Sequence, residues 1–135
     1  MADDLSKELL HIIDLTITYS PRGSPSVGAL HHASLKIHPG EVIGVLGESG
    51  SGKSTLASAV LRLLPPYARS EGGSVMFRGS NLLTMTEMDL RKVRGKAISL
   101  VSQDPALSLN PVIRTGDQIA EVVRAHAAKI GRAHV

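Results

Sequence analysis

The sequence predicts an α/β domain, and three observations carry that prediction. A short apolar run at residues 42–46 (VIGVL) leads straight into a glycine-rich loop. That loop opens a segment, residues 54–64 (STLASAVLRLL), whose apolar positions recur at helical spacing. Two β-rich segments stand ahead of the run, so the order is β, β, buried strand, glycine loop, helix.

Taken in order, residues 9–19 (LLHIIDLTITY) carry β-branched side chains in partial alternation, and residues 33–38 (ASLKIH) alternate small or apolar with polar. Both read as strands. Between them SPRGSPSVG has the Ser, Pro and Gly content of a loop or hairpin connection. Residues 42–46 form a continuous apolar run of the kind found in strands buried on both faces of a parallel sheet. The helix after the loop is expected to stop at Pro65-Pro66, since proline cannot continue it. Residues 73–78 (GSVMFR) read as a strand. Residues 86–94 (TEMDLRKVR) read as a helix opened by Thr86 with acids in its first turn, and residues 97–102 (AISLVS) as another strand. Residues 104–111 (DPALSLNP) are turn chemistry, and residues 116–128 (GDQIAEVVRAHAA) form a last amphipathic helix. There is no internal repeat and no low-complexity tract.

Composition agrees with one domain or part of one: 135 residues, 42% hydrophobic and 20% charged, is the balance of a globular chain. No apolar run approaches the ~20 residues a membrane-spanning helix needs. The start, MADDLSKELL, lacks the apolar stretch and small-residue cleavage site of a secretory signal, which places the protein in the cytoplasm. The absence of cysteine decides nothing. A net charge of +3 raises nucleic acid as a partner, but the basic residues are scattered and only three aromatics exist to stack bases. No nucleic-acid partner is expected.

The last six residues, Ile130 to Val135, resemble the translation of a common sequencing-library adapter, ATC GGA AGA GCA CAC GTC followed by TGA. On that reading Lys129 is a hybrid codon, residues 129–135 are an adapter-derived tail, and native information ends at Ala128. The alternative is a short basic helix end. Without Lys129 and Arg132 the net charge falls from +3 to +1.

The chemistry is concentrated in Gly47-Glu48-Ser49-Gly50-Ser51-Gly52-Lys53-Ser54-Thr55, which satisfies G-x-x-x-x-G-K-[ST], the phosphate-binding loop of P-loop NTPases. Glycines let the backbone wrap tightly and turn N–H groups inward, and the following helix adds its positive end. Lys53 is placed to reach the β- and γ-phosphates, and the Ser54 hydroxyl to ligate Mg²⁺. A glycine turn that caps a helix and binds nothing is the plain alternative. The strand before the loop and the helix after it are the context the motif requires.

The run GEVIGVLGESGSGKST, followed by Gln103 in ISLVSQDPALSLNPV, resembles the ATP-binding subunits of ABC transporters, and especially the dipeptide, oligopeptide and nickel importer group. The resemblance covers residues 9–128; the loop is shared by many NTPases, whereas QDP followed by SLNP is specific to this group. It implies a P-loop NTPase (RecA-like) core with an N-terminal antiparallel β subdomain, incomplete at the C-terminus, so that residues 1–128 are the N-terminal part of an ATP-binding domain. ATP and Mg²⁺ are the implied cofactors. By the same resemblance Gln103 contacts Mg²⁺ and the attacking water, which makes Lys53 and Gln103 the catalytic candidates and Ser54 and Gln103 the metal candidates. Tyr19 matches the aromatic residue that stacks on adenine. Ser102 departs from the group, which usually has phenylalanine there, so packing beside Gln103 is expected to differ. The histidines at 11, 31, 32, 38 and 126 show no metal-ligand spacing, and the adjacent pair His31-His32 would diverge on a strand.

Hydrolysis in this family also needs an acidic strand end, a following glutamate, a switch histidine and an LSGGQ segment, and none occurs after Gln103. The polypeptide as written is therefore expected not to turn over ATP, whereas its full-length parent does, and the strand at residues 42–46 to have an unpaired edge and uncovered apolar faces. Implied partners are transmembrane permease subunits and a second ATP-binding subunit, identical or related, on the cytoplasmic face of the inner membrane. Two rivals remain: another P-loop enzyme such as a GTPase or small-molecule kinase, which the absent N-K-x-D signature disfavours, and a non-catalytic nucleotide- or nucleic-acid-binding module. The transported solute is not legible.

Overall fold

In the computed structural model, which describes residues 8–104 and 108–126, the β-rich start of the chain becomes the middle of an antiparallel sheet. The chain divides into two units, residues 1–90 and 91–135. In the first, strand β1 (Leu10–Tyr19) lies between β2 (Val27–Ile37) and β3 (Ala68–Phe77), and β4 (Ser80–Asn81) extends the far edge in the order β2-β1-β3-β4. Helix α1 (Lys53–Val60) follows the glycine loop. Helix α2 (Glu87–Val93) starts at Thr86, whose hydroxyl donates to Asp89 Oδ2 at 2.8 Å while accepting from the Asp89 N–H at 3.2 Å. This is the N-cap that Thr86 predicts.

The partial alternation of β1 has a structural reason. Ile12, Leu15 and Ile17 are all buried although their spacing is three and then two, because the register slips between Ile12 and Leu15. The slip is a bulge: Asp14 takes φ 51°, and its backbone N–H donates to Ser34 Oγ at 3.0 Å. Opposite it His32, also at φ 51°, sets its Nδ1 2.7 Å from Asp14 Oδ1. On the β3 side Gly73 adopts φ 91°, and a Cβ there would meet Asp14 O at 2.5 Å. The extra residue returns the inward face to register and adds local twist. The buried residues Ile12, Leu15, Ile17, Leu30, Val75 and Leu82 make the core of this unit, with Ala59 and Val60 of α1.

Three predicted elements are corrected. The helix expected to run to residue 64 ends at Val60, before the prolines. Arg62 adopts φ 51°, its N–H bonds Ala59 O at 3.0 Å, and the Leu63 N–H bonds Ser58 O at 2.9 Å. That is a Schellman closure with arginine in the left-handed position; the Arg62 side chain donates to Met85 O at 2.7 Å. Residues 42–46 are not a strand, and Val42 and Leu46 are each 95% exposed. A strand exists only with a hydrogen-bonded neighbour, and among the described residues none pairs with this run. Residues 97–102 likewise form only an isolated bridge, Arg94 with Ile98. The remaining strands are longer than predicted at their start, β2 from Val27 and β3 from Ala68.

In the second unit α3 (Thr115–His126) is the predicted last helix. Its Gln118 amide accepts from Asn110 N at 2.9 Å and donates to Asn110 O at 3.0 Å and Ile113 O at 2.8 Å, so the SLNP turn is tied to the helix that follows it. Residues 105–107, within the DPALSLNP turn, and the expected tail at 129–135 lie outside the described residues. No helix among the described residues is long and apolar enough to cross a membrane.

One buried charge ties the start of the sheet together. The Glu8 side chain is 4% exposed and receives Lys36 Nζ on Oε1 at 2.6 Å. Its Oε2 lies 2.7 Å from His11 Nδ1 as an ion pair out of hydrogen-bond alignment, and neither of those two atoms has a hydrogen-bond partner. The Lys36 hydrogen bond, aided by the charges of His11 and Lys36, holds the carboxyl below its ordinary value of 4.5 despite the opposing effect of burial. A depressed carboxyl contributes stability above its unfolded pKa and loses it as pH falls through the folded one. Glu8→Gln is therefore expected to melt below the native chain at pH 7, with the gap closing below pH 4.5. Thermal denaturation of both chains across that range checks this, and a gap independent of pH would remove the ion pair as its cause.

Candidate functional site

The loop at 47–52 stands between the irregular 42–46 run and the first turn of α1. Gly50 (φ 83°) and Gly52 (φ 90°) both occupy the left-handed region that glycine tolerates. At Gly52 a Cβ would also meet Ala29 O at 2.5 Å and Leu30 Cδ2 at 2.8 Å, so the loop presses backbone to backbone on β2 just where the helix begins. Gly52 is the N-cap of α1; no side chain caps it, and the first turn holds no acid. The helix start therefore keeps its N–H groups and its positive dipole end for an external anion.

Lys53 folds back over the loop. Its Nζ donates to Gly47 O at 2.7 Å, Glu48 O at 2.6 Å and Ser51 Oγ at 3.2 Å. The ammonium thus sits inside the ring of loop backbone, anchored only by exposed neutral acceptors that a phosphate oxygen can outcompete. Ser54 is exposed, and its hydroxyl has no partner among the described residues, which suits a metal ligand. Both features fit a nucleotide phosphate with its divalent ion. Ser49 lies at the exposed tip between Glu48 and Gly50.

Thr55 connects the loop to the sheet. Its Oγ1 and the Tyr19 hydroxyl share a hydrogen bond at 3.0 Å, which brings the last residue of β1 to the first turn of α1 although they are far apart in sequence. Tyr19 is thereby beside the start of α1 and the glycine loop. The structure adds a residue that the sequence reading passes over: Tyr67, whose ring centroid lies 5.8 Å from that of Tyr19 with the planes 58° apart. The available signal was composition, since these are the only two tyrosines in the chain.

Gln103 lies in the second unit, exposed at a bend. Ser102, the departure from the family pattern, is used in the turn itself: its hydroxyl donates to Asp104 O at 3.0 Å and also bonds the Ser108 hydroxyl. The loop residues, Lys53, Ser54, Thr55 and Tyr19 are thus assembled within the first unit, and Gln103 belongs to the other.

A family model described as ABC transporter matches residues 30–133. The chain belongs to that family. Among curated ABC transporter proteins it is 45% identical over 124 residues to the oligopeptide transport ATP-binding protein OppD of Mycobacterium tuberculosis, covering 92% of this chain and 20% of that protein. It is 41% identical to the peptidoglycan transport ATP-binding protein YejF of Agrobacterium fabrum (97% and 24% covered) and 41% identical to OppD of Escherichia coli (93% and 37% covered). The chain therefore spans only a minor part of the curated relatives it matches. Among solved structures, the dimeric post-hydrolysis state of the ATP-binding cassette MJ0796 bound to ADP and Pi superposes with a TM-score of 0.69 at 22% identity, covering 93% of this chain and 50% of that one. At that identity the likeness shows the fold: this ABC transporter chain has the architecture of part of an ATP-binding cassette, in which the antiparallel sheet is the N-terminal β subdomain expected from the sequence.

Proposed function

We propose that this chain carries the ATP-binding loop of the motor subunit of an ABC importer, whose whole protein hydrolyses ATP to power uptake of a peptide-like solute or nickel. The observation that supports it most is the uncapped start of α1 with Lys53 held inside the loop by neutral carbonyls. Glycine-lined backbone and the helix end receive the β- and γ-phosphates, and Lys53 turns from Gly47 O and Glu48 O to their oxygens. Ser54 and Gln103 are the residues that would hold Mg²⁺, which supplies charge neutralisation on the phosphates when bound. Gln103, an amide with both donor and acceptor, also orients the attacking water. Tyr19 offers its ring to the base. The partners are permease subunits and a second ATP-binding subunit on the cytoplasmic face of the membrane, as the relatives' naming as transport ATP-binding proteins suggests.

On this reading the 135 residues bind ATP and do not turn it over, since the acidic strand end, following glutamate, switch histidine and LSGGQ segment that the family's hydrolysis needs do not occur after Gln103 in this sequence. Calorimetric titration of the purified chain with Mg-ATP, alongside a phosphate-release assay, tests both halves. Binding with no phosphate release is the expected result; absence of binding overturns the loop assignment, and Mg²⁺-dependent release overturns the division of labour.

A further inference from the structure

The geometry points to Tyr67 as a second aromatic contact for the base, making the base platform of this protein a pair of tyrosines. This rests on the reading that the loop binds a nucleotide. Tyr19 alone is anchored to the loop, through Thr55. A purine bicycle is wider than one phenol ring, and a base lying on Tyr19 extends toward its neighbour, whose centroid is 5.8 Å away. With the planes 58° apart, the two rings are tilted against each other rather than stacked face to face, so their faces point in different directions.

Tyr67 is suited to that contact by how it is held. Its backbone is fixed at the end of the sheet, where Tyr67 O accepts the Ser20 N–H at 2.8 Å and the next residue's N–H bonds Pro65 O at 2.9 Å. The residue nonetheless stays 49% exposed. A rigid backbone carrying an exposed ring offers contact area at low entropic cost. Beside it opens a groove of about 470 Å³ lined by Ser20, Pro21, Arg22, Pro66, Tyr67 and Arg69. Neither Arg22 nor Arg69 has a carboxylate partner among the described residues, so both guanidinium groups are available to the acceptor nitrogens of a purine edge.

The chain contains no tryptophan and no tyrosine besides these two, so its intrinsic emission reports on this pair alone. In Tyr19→Phe the emission comes from Tyr67. ATP is expected to quench it, and inorganic tripolyphosphate, which fills the loop without a base, is expected to leave it unchanged. By calorimetry Tyr67→Ala should lower ATP affinity roughly fivefold to 150-fold, the span of one base–aromatic stack. Tripolyphosphate affinity should be unaltered, and Tyr67→Phe should restore binding. ATP bound by Tyr19→Phe with no change in emission overturns the inference, as does equal loss of ATP and tripolyphosphate in Tyr67→Ala, which would mark a structural role. Should Tyr67→Ala fail to fold, the emission of Tyr19→Phe still decides. If the native chain binds neither ligand, the nucleotide reading itself falls, and this inference with it.

Discussion

Lys53→Met is expected to lower the affinity of the chain for ATP by about 100-fold or more, leaving the melting temperature nearly unchanged. The ammonium is the one cation held inside the loop, and hydrogen bonds from a charged donor to phosphate contribute ~1.5–3 kcal/mol each, so losing two costs about 3 kcal/mol or more. The fold should not notice, because its present partners, Gly47 O, Glu48 O and Ser51 Oγ, are exposed and return to water when the side chain is shortened of its charge. Methionine keeps the length of the stem, which separates charge from packing. Calorimetry with Mg-ATP and a thermal melt on the same sample decide the matter. Native affinity in the variant would move the phosphate site away from this loop.

Gly52→Ala should be the most disruptive single change in the loop, and Gly50→Ala its control. Both glycines sit in left-handed backbone, φ 90° and φ 83°, where an L side chain costs about 1–3 kcal/mol. Only Gly52 adds a collision, since its Cβ would lie 2.5 Å from Ala29 O and 2.8 Å from Leu30 Cδ2, whereas Gly50 has open space around it. A backbone carbonyl inside a paired strand cannot move cheaply, so the loop must lift from β2 and take the start of α1 with it. The expected result is a larger fall in melting temperature for Gly52→Ala than for Gly50→Ala, together with loss of ATP binding. Equal effects would mean that strain alone matters and that the close approach to β2 does not.

Much of this protein was legible without coordinates. The glycine loop, Lys53 and the helix after it follow from a local pattern of residue type and spacing, and local geometry survives translation from sequence to structure. Thr86 and its two acids marked the start of α2 for the same reason. Where the reading went wrong, the missing information was non-local. The VIGVL run has the composition of a buried parallel strand and, among the described residues, no hydrogen-bonded neighbour, and it is irregular and exposed. Pro65-Pro66 is the visible stop and predicts an end of α1 at Leu64; Arg62 in a left-handed conformation, held by Met85 O, is not a signal a sequence carries.

By itself, then, the sequence determined the family and where its glycine loop and following helix lie, because motif spacing and residue type are requirements met within a few neighbouring residues. Tertiary structure alone decided which apolar segments become strands, how the bulge at Asp14 and His32 returns Ile12, Leu15 and Ile17 to one face, and that Tyr19 meets both Thr55 and Tyr67. Those outcomes depend on strand register and cross-strand hydrogen bonds between residues far apart in the chain, and no local pattern specifies which partner a strand edge will find.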